Sequence, residues 1–262
     1  MSAAGPAAPG GVRLRPAAAR ARDRREGVAA TEAFSRGDAI DRDWMGWGAL
    51  RVLSHQQWEP GAVREGRVAN MERLLLVLDG VLDADCGQAG RHRVATGGAL
   101  WIGSGHGLAS RLANAAAAPL RLVELWLQPD RVNAPPGAGT WMPAGDGPDA
   151  VVRAGGWQAL AEPGGAGALP LRQAAHVLLA CPMPGATLQL PASAGARYWL
   201  EILEGRAVVA REAAAVGAGG PGPLLLGAGD GLGWLAGDAG RPAAVGAAGD
   251  APVRLLLVAL PA

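Results

Sequence analysis

Cysteine is scarce in this 262-residue chain, which has only Cys86 and Cys181. The two lie in different halves of the sequence, and no C-x-x-C pair occurs. This absence excludes a thioredoxin-type redox motif and a zinc ribbon. Both thiols are expected to be ordinary ones, one in a turn and one in or near a strand.

Lysine is missing altogether, so all 24 residues counted as Lys or Arg are arginine, and the formal net charge is only +1. A chain without a basic field is not expected to collect nucleic acid or to bind a membrane surface. Abundant Ala, Gly and Arg are typical of a GC-rich, bacterial coding sequence. The arginine cluster at 20–25, RARDRR, is expected to be solvated.

Long hydrophobic segments are also lacking. The residues before position 27 contain no apolar core of about 7–15 residues, so they do not resemble a secretory signal. Residues 1–11 are predicted to be a disordered tip, and the cytoplasm is the expected location. The longest apolar runs, LLLVL at 74–78 and LLLVAL at 255–260, are too short to cross a bilayer but suit buried strands.

Short apolar runs separated by Gly, Pro and Asp fill the chain instead. No long segment has a 3.6-residue apolar period, so an all-β protein with few short helices is predicted. The two halves resemble each other, since LLLVLDGVLDA (74–84) and WLEILEGRAVVA (199–210) both read as strand, acidic residue, Gly and strand. Two tandem β-barrels are therefore predicted, over residues 12–130 and 171–262, with a Gly/Pro-rich connection at 131–170.

Several segments resemble, in order, the pirin family of bicupin proteins, which includes bacterial quercetin 2,3-dioxygenase-like members. They are WMGWGALRVLS (44–54), MERLLLVLDGVLDAD (71–85), ATGGALWIGSGHG (95–107), LRLVELWLQPD (120–130), HVLLACPMPGATLQLP (176–191) and YWLEILEGRAVV (198–209). The resemblance implies two cupin barrels, each a double-stranded β-helix or jelly roll.

The resemblance also implies a metal site in the first barrel, commonly for iron or another divalent metal, made by an H-x-H pair and a His-x-Glu pair. Residues i and i+2 of a strand point to one side, so two such pairs on facing strands project four ligands into one barrel mouth. Aligned on the neighbouring motifs, these positions are Gly66, Val68, Ser110 and Leu112, and none is a usual ligand. The site is expected to be degenerate, and no metal or other cofactor is expected.

The remaining polar groups near this segment are candidates for a binding pocket, although none is assigned as catalytic. These candidates are Glu72, His106, Ser110, Asn70 and Trp101. Strand parity places Glu72 on the side of Gly66 and Val68, facing the barrel mouth, where a buried carboxylate needs a partner such as an arginine or His106. Trp47 and Trp101 are expected to be barrel-wall aromatics.

Three hypotheses follow. The first is a non-catalytic, metal-free scaffold that binds a small molecule, for instance an aromatic one, or a protein partner. The second is a metal-dependent dioxygenase of the quercetin 2,3-dioxygenase type with a rebuilt site, since that chemistry needs a metal. The third is a closed barrel with a purely structural role. The missing ligands favour the first over an enzyme, and a quercetin 2,3-dioxygenase-like oxidoreductase is the alternative.

Overall fold

The computed structural model describes residues 11–143, 155–212 and 222–261. This part of the chain is almost entirely β-structure, as the sequence predicts, and its only helices are three 3₁₀ turns at Ala17–Ala19, Arg42–Trp44 and Gly87–Ala89. None of the described helices is long and apolar enough to cross a membrane. The predicted disordered tip lies outside the described residues except for Gly11, whose amide donates to Asp238 Oδ1 at 3.1 Å.

The first barrel consists of one seven-stranded sheet and one four-stranded sheet. Its strands are β2 (Ala21–Arg25), β3 (Val28–Glu32), β4 (Leu50–Trp58), β5 (Val63–Val68), β6 (Glu72–Asp79), β7 (Val81–Asp85), β8 (Arg91–Ala95), β9 (Ala99–Gly103), β10 (Leu108–Ala113), β11 (Leu120–Leu127) and β12 (Gly137–Trp141). The larger sheet has the order β12-β9-β6-β11-β4-β3-β2 and the smaller one β5-β10-β7-β8.

The second barrel repeats this arrangement. Its strands are β1 (Arg13–Arg15), β13 (Gln158–Pro163), β14 (Leu169–Leu171), β15 (His176–Ala180), β16 (Thr187–Gln189), β17 (Arg197–Glu204), β18 (Arg206–Arg211), β19 (Leu224–Gly227), β20 (Gly231–Leu235), β21 (Pro242–Ala247) and β22 (Arg254–Leu260). The seven-stranded sheet has the order β1-β20-β17-β22-β15-β13-β14, and the four-stranded sheet β16-β21-β18-β19.

The chain crosses between the barrels at both ends of the first one. Strand β1, although it precedes the first barrel in sequence, pairs with β20 of the second barrel. In the Gly/Pro-rich connection, β12 pairs with β9 of the first barrel, and β13 pairs with β15 of the second. Residues 13–15 thus belong to the seven-stranded sheet of the second barrel, whereas the sequence predicts them in the first barrel.

The two seven-stranded sheets pack against each other, and the alternation along β6 shows how. Leu75 and Val77 point into the core of the first barrel, whereas Leu74, Leu76 and Leu78 point into a core shared with the second barrel. A run such as LLLVL is apolar on both faces because both faces are buried. Leu200 and Ile202 of β17 likewise face the interior of the second barrel, away from the shared core.

A buried ion pair fastens the N-terminal segment to the second barrel. Arg20 donates to both carboxylate oxygens of Glu201, at 2.7 and 2.9 Å, and Trp199 Nε1 donates to the same carboxylate at 3.0 Å. His55 Nε2 of the first barrel lies 2.7 Å from Glu201 Oε1. Arg20 is therefore buried, in contrast to the solvated role expected for the cluster at 20–25, whereas Arg24 and Arg25 are exposed.

Both cysteines lie in the apolar interior at the ends of strands. Cys86 follows β7, at the turn that the 3₁₀ helix Gly87–Ala89 forms, and belongs to the core of the first barrel. Cys181 directly follows β15 and belongs to the shared core. Burial raises the pKa of the Cys86 thiol, with the nearby Arg73 opposing the shift.

Candidate functional site

The four positions that the family resemblance assigns to metal ligands lie together on the inner face of the four-stranded sheet. Strands β5 and β10 are antiparallel, with Ser110 opposite Gly66 and Leu108 opposite Val68. Leu112 is opposite Arg64, so Arg64 also lies on this face. Gly66, Val68, Ser110 and Leu112 all line a cavity of about 190 Å³.

The opposite wall of this cavity comes from the seven-stranded sheet and carries charge. Arg73 of β6 and Glu124 of β11 are 8% and 2% exposed. Arg73 donates to Glu124 Oε1 through Nη2 at 2.6 Å and Nε at 2.9 Å, and its Nη1 donates to Ser110 Oγ at 3.3 Å. The Arg73 guanidinium therefore contacts Ser110, which is the only one of these four residues whose side chain has a polar atom.

Glu124 is the centre of a wider hydrogen-bond network. Its Oε2 accepts from Gln56 Nε2 at 2.8 Å and from Arg36 Nη1 at 3.3 Å. Burial would raise the pKa of Glu124, but Arg73 and Arg36 outweigh that effect and lower its pKa from 4.5 to about 2. The carboxylate is therefore ionised at neutral pH, and it holds the two arginines in place.

A second carboxylate lies at the outer end of the network. Glu32 is 4% exposed, and its Oε1 accepts from Ser54 Oγ at 2.9 Å and from Arg36 Nη1 at 3.4 Å. Burial raises the pKa of Glu32, while Arg36 and Ser54 oppose the shift. Arg36 thus bridges Glu32 and Glu124, with long contacts to each.

The structure directs Glu72 away from this cavity and into the shared core. Its carboxylate is fully buried and accepts from Trp101 Nε1 at 3.0 Å, from the Arg172 amide at 2.9 Å and from the Gln173 amide at 2.9 Å. Burial raises the pKa of Glu72, and these donors oppose the rise. The partners are main-chain amides and an indole, not the arginine side chain or His106 that the sequence analysis expects.

The turn between β5 and β6 explains the difference. Asn70 has a φ of 52°, in the left-handed region, and separates the end of β5 at Val68 from the start of β6 at Glu72. The two strands also belong to different sheets. The alternation of side chains along β5 therefore does not continue into β6, and Arg73 rather than Glu72 points into the first barrel.

Of the five pocket candidates, only Ser110 lines the cavity. Asn70 contacts a distant segment, since its Oδ1 accepts from the Asn133 amide at 2.7 Å, and His106 is exposed. Trp101 lies in the shared core beside Glu72, with the Arg172 guanidinium 5.4 Å from its ring centroid. Trp47 also lies in the shared core, 5.9 Å from Trp199.

The sequence contains a signal for Arg73 and Glu124, which are not among the predicted site residues. Arg73 lies near the start of a buried strand, in ERLLLVL, and Glu124 lies in the middle of one, in LRLVELWL. Charged residues in buried strands are rarely tolerated without a partner, so opposite charges in neighbouring strands suggest a buried pair. Finding this pair requires knowing that β6 and β11 are neighbours.

The donor set of the cavity does not fit a transition metal. Gly66, Val68 and Leu112 supply no donor atom, and Ser110 supplies a hydroxyl that accepts from Arg73. Among residues 11–143, 155–212 and 222–261, no group of three or more His, Cys, Asp or Glu side chains is placed to hold a metal ion. Such a site ordinarily needs three or four N, O or S donors.

Comparison with known proteins places the fold among bacterial pirins. No protein-family model matches the chain, and no curated protein matches its sequence. Among solved structures, YhhW from Escherichia coli has a TM-score of 0.81 at 20% identity, over 95% of this chain and 97% of that one. A structure of the bacterial pirin YhhW from Escherichia coli in complex with nickel(II) has a TM-score of 0.78 at 21% identity, over 95% and 99% of the two chains.

A quercetin 2,3-dioxygenase from Acinetobacter baumannii has a TM-score of 0.70 at 14% identity, over 95% of this chain and 86% of that one. At these identities the likeness shows the fold. The chain therefore has the two-barrel architecture of pirins and of quercetin dioxygenase-like proteins, and the resemblance seen in the sequence is confirmed at that level.

Proposed function

We propose that the first barrel is a metal-free binding site for a small molecule, within a pirin-like scaffold that does not catalyse metal-dependent oxygenation. The observation that carries the proposal is the contact of Arg73 with Ser110. A fixed guanidinium beside a ligand position repels a divalent cation, and its own counter-ion, Glu124, is buried with it.

The cavities support a small ligand. The inner cavity of about 190 Å³ shares Arg36, Arg64 and Glu65 with an outer hollow of about 550 Å³. Volumes of this order suit a small organic molecule rather than a peptide or a second domain. Charged and aromatic side chains, such as Arg64 and Trp58 respectively, line the inner cavity.

An oxygenase function is disfavoured by the chemistry of the side chains. Opening a flavonol ring requires a metal that binds the substrate and promotes its reaction with dioxygen. The relative crystallised with nickel(II) shows that this fold accepts a divalent metal in that protein. In the present chain, the four positions offer one hydroxyl and no imidazole or carboxylate.

The test is a calorimetric titration of chelator-treated protein with Ni²⁺ and with Fe²⁺, the latter without oxygen, followed by an assay of quercetin oxygenation with each metal added. We expect neither stoichiometric binding nor turnover. A one-to-one complex of micromolar or tighter affinity, or quercetin-dependent oxygen uptake above that of free metal, would overturn the proposal.

A further inference from the structure

Two polar groups beside the outer hollow lack partners, namely the guanidinium of Arg64 and one carboxylate oxygen of Glu32. Arg64 is half-buried on β5, and its guanidinium makes no hydrogen bond or ion pair with the described residues. Its guanidinium lies 5.8 Å from the centroid of the Trp58 ring. Glu32 Oε2 is buried and has no hydrogen-bond partner within the described part of the chain.

Both side chains line the same outer hollow, together with Arg36. They are not in direct contact, because no ion pair within 4 Å joins Arg64 to Glu32, although each influences the titration of the other. An unpaired guanidinium and an unpaired carboxylate oxygen thus border one hollow without contacting each other.

Several of the nearby charges are already paired with other residues. Glu124 is shared by Arg73 and Arg36. Glu65 is 2.9 Å from Arg111 on the outer side of the sheet. At the rim, Asp23 and Asp38 both pair with Arg25, at 3.1 and 2.8 Å. Arg64 therefore has no ion-pair partner among these acidic residues, and Arg36 has capacity for a further acceptor because its present contacts are long.

We propose that the outer hollow binds a small carboxylate that carries a hydroxyl or ammonium group on the adjacent carbon. Arg64 and Arg36 would receive the carboxylate, since a guanidinium donates two parallel hydrogen bonds to that planar group. Glu32 Oε2 accepts from the hydroxyl or ammonium of the ligand. The inference rests on the proposed function, because it names the ligand class of that metal-free site.

The first experiment needs no variant. The wild-type protein is titrated calorimetrically, at one ionic strength, with lactate, alanine, propionate and lactamide, which differ by single groups. Lactate or alanine is expected to bind at least about tenfold more tightly than propionate, which lacks the donor, and than lactamide, which lacks the charge. Whichever of lactate and alanine binds more tightly identifies the donor as hydroxyl or ammonium. Equal affinity for propionate, or no binding of any probe, overturns the proposal.

Variants of Arg64 and Glu32 then test which group of the ligand each side chain contacts. Arg64→Met is expected to weaken binding of the preferred probe by at least about tenfold, and Glu32→Gln to reduce its preference over propionate. Arg91→Met is the matched control, because Arg91 is an exposed arginine of the first barrel that pairs with Asp85, away from the hollow. An Arg64→Met protein that is folded by thermal unfolding and binds like the wild type contradicts the assignment.

The outcomes separate the inference from the proposed function. If the protein contains no bound metal and binds none of the four probes, the carboxylate site is ruled out, but the proposal of a metal-free barrel still stands. Stoichiometric metal overturns the proposed function, whatever the probes do.

Discussion

Arg73 and Glu124 face each other across strands β6 and β11, with Nη2 of the arginine 2.6 Å from Oε1 of the glutamate. Both are buried in the first barrel, beside Ser110, Leu112, Gly66 and Val68. Burying a charge is costly unless it is paired, so each residue depends on the other. The pair thus places a buried charged contact beside the four positions that the family resemblance assigns to metal ligands.

Removing one partner of this pair is expected to lower the free energy of unfolding more than removing both. Arg73→Met leaves Glu124 with a weaker counter-ion, and Glu124→Met leaves Arg73 without one, so each should lower the free energy of unfolding by about 3–5 kcal/mol. The double variant should recover most of the loss, since a hydrophobic pair of similar volume is often neutral. Urea unfolding of the four proteins measures the coupling. Additive losses would contradict a direct interaction.

Acid should destabilise the protein through Glu124. Its pKa in the folded state is about 2, below the ordinary 4.5. The carboxylate therefore contributes stability that is complete above about pH 5 and is lost as the pH falls towards 2, by about 3 kcal/mol over that range.

The Glu124→Gln variant isolates this contribution, because it lacks the titrating group. Unfolding of the wild type and the variant by urea is compared at several pH values between about 5 and 2. The difference in the free energy of unfolding should shrink as the pH falls. A difference that stays constant would show that Glu124 does not have a depressed pKa.

Glu72 should stabilise the contact between the barrels rather than bind a ligand. Glu72→Ala removes the acceptor of the Trp101 indole and of the Arg172 and Gln173 amides. Leaving these buried donors unsatisfied should lower the free energy of unfolding by about 3 kcal/mol, without changing ligand affinity. Glu59→Ala, at an exposed glutamate that pairs with Arg24 at the surface, is the control and should cost less than about 1 kcal/mol. Equal losses would argue against this role.

Restoring the family ligands provides a stricter test of the Arg73 hypothesis. A variant with Gly66→His, Val68→His, Ser110→His and Leu112→Glu supplies three imidazoles and a carboxylate, but Arg73 remains nearby. Adding Arg73→Leu and Glu124→Leu removes the competing charge, and this should raise Ni²⁺ affinity at least about tenfold, by titration calorimetry. Equal nickel affinity of the two variants would show that Arg73 does not oppose a metal.

The fold could be predicted from the sequence because its signals are local. Alternating and fully apolar runs, with glycine turns such as Gly80 and Gly205 at positive φ, mark strands and hairpins wherever they occur. The second barrel resembles the first closely enough in sequence to be recognised. The position of β1 was not predictable, because three residues carry no information about which of two sheet edges they will join.

The site was predicted less well, for a physical reason. Gly66, Val68, Ser110 and Leu112 could be located by alignment on neighbouring motifs, and the register of β5 and β10 places them on one face. Glu72 was assigned to the wrong side of the sheet because parity does not pass through the left-handed Asn70. Arg36, Arg73 and Glu124 come from three distant segments, and only the tertiary structure brings them together.

The most direct test of the account is the metal content of the protein purified without chelators and dialysed exhaustively. Mass spectrometric analysis for Fe, Ni, Cu, Zn and Mn should find far less than one metal per chain. One equivalent of any of these metals in the wild type, lost on substitution of Ser110 or Glu124, would show that the cavity beside Arg73 is a metal site and would contradict the account.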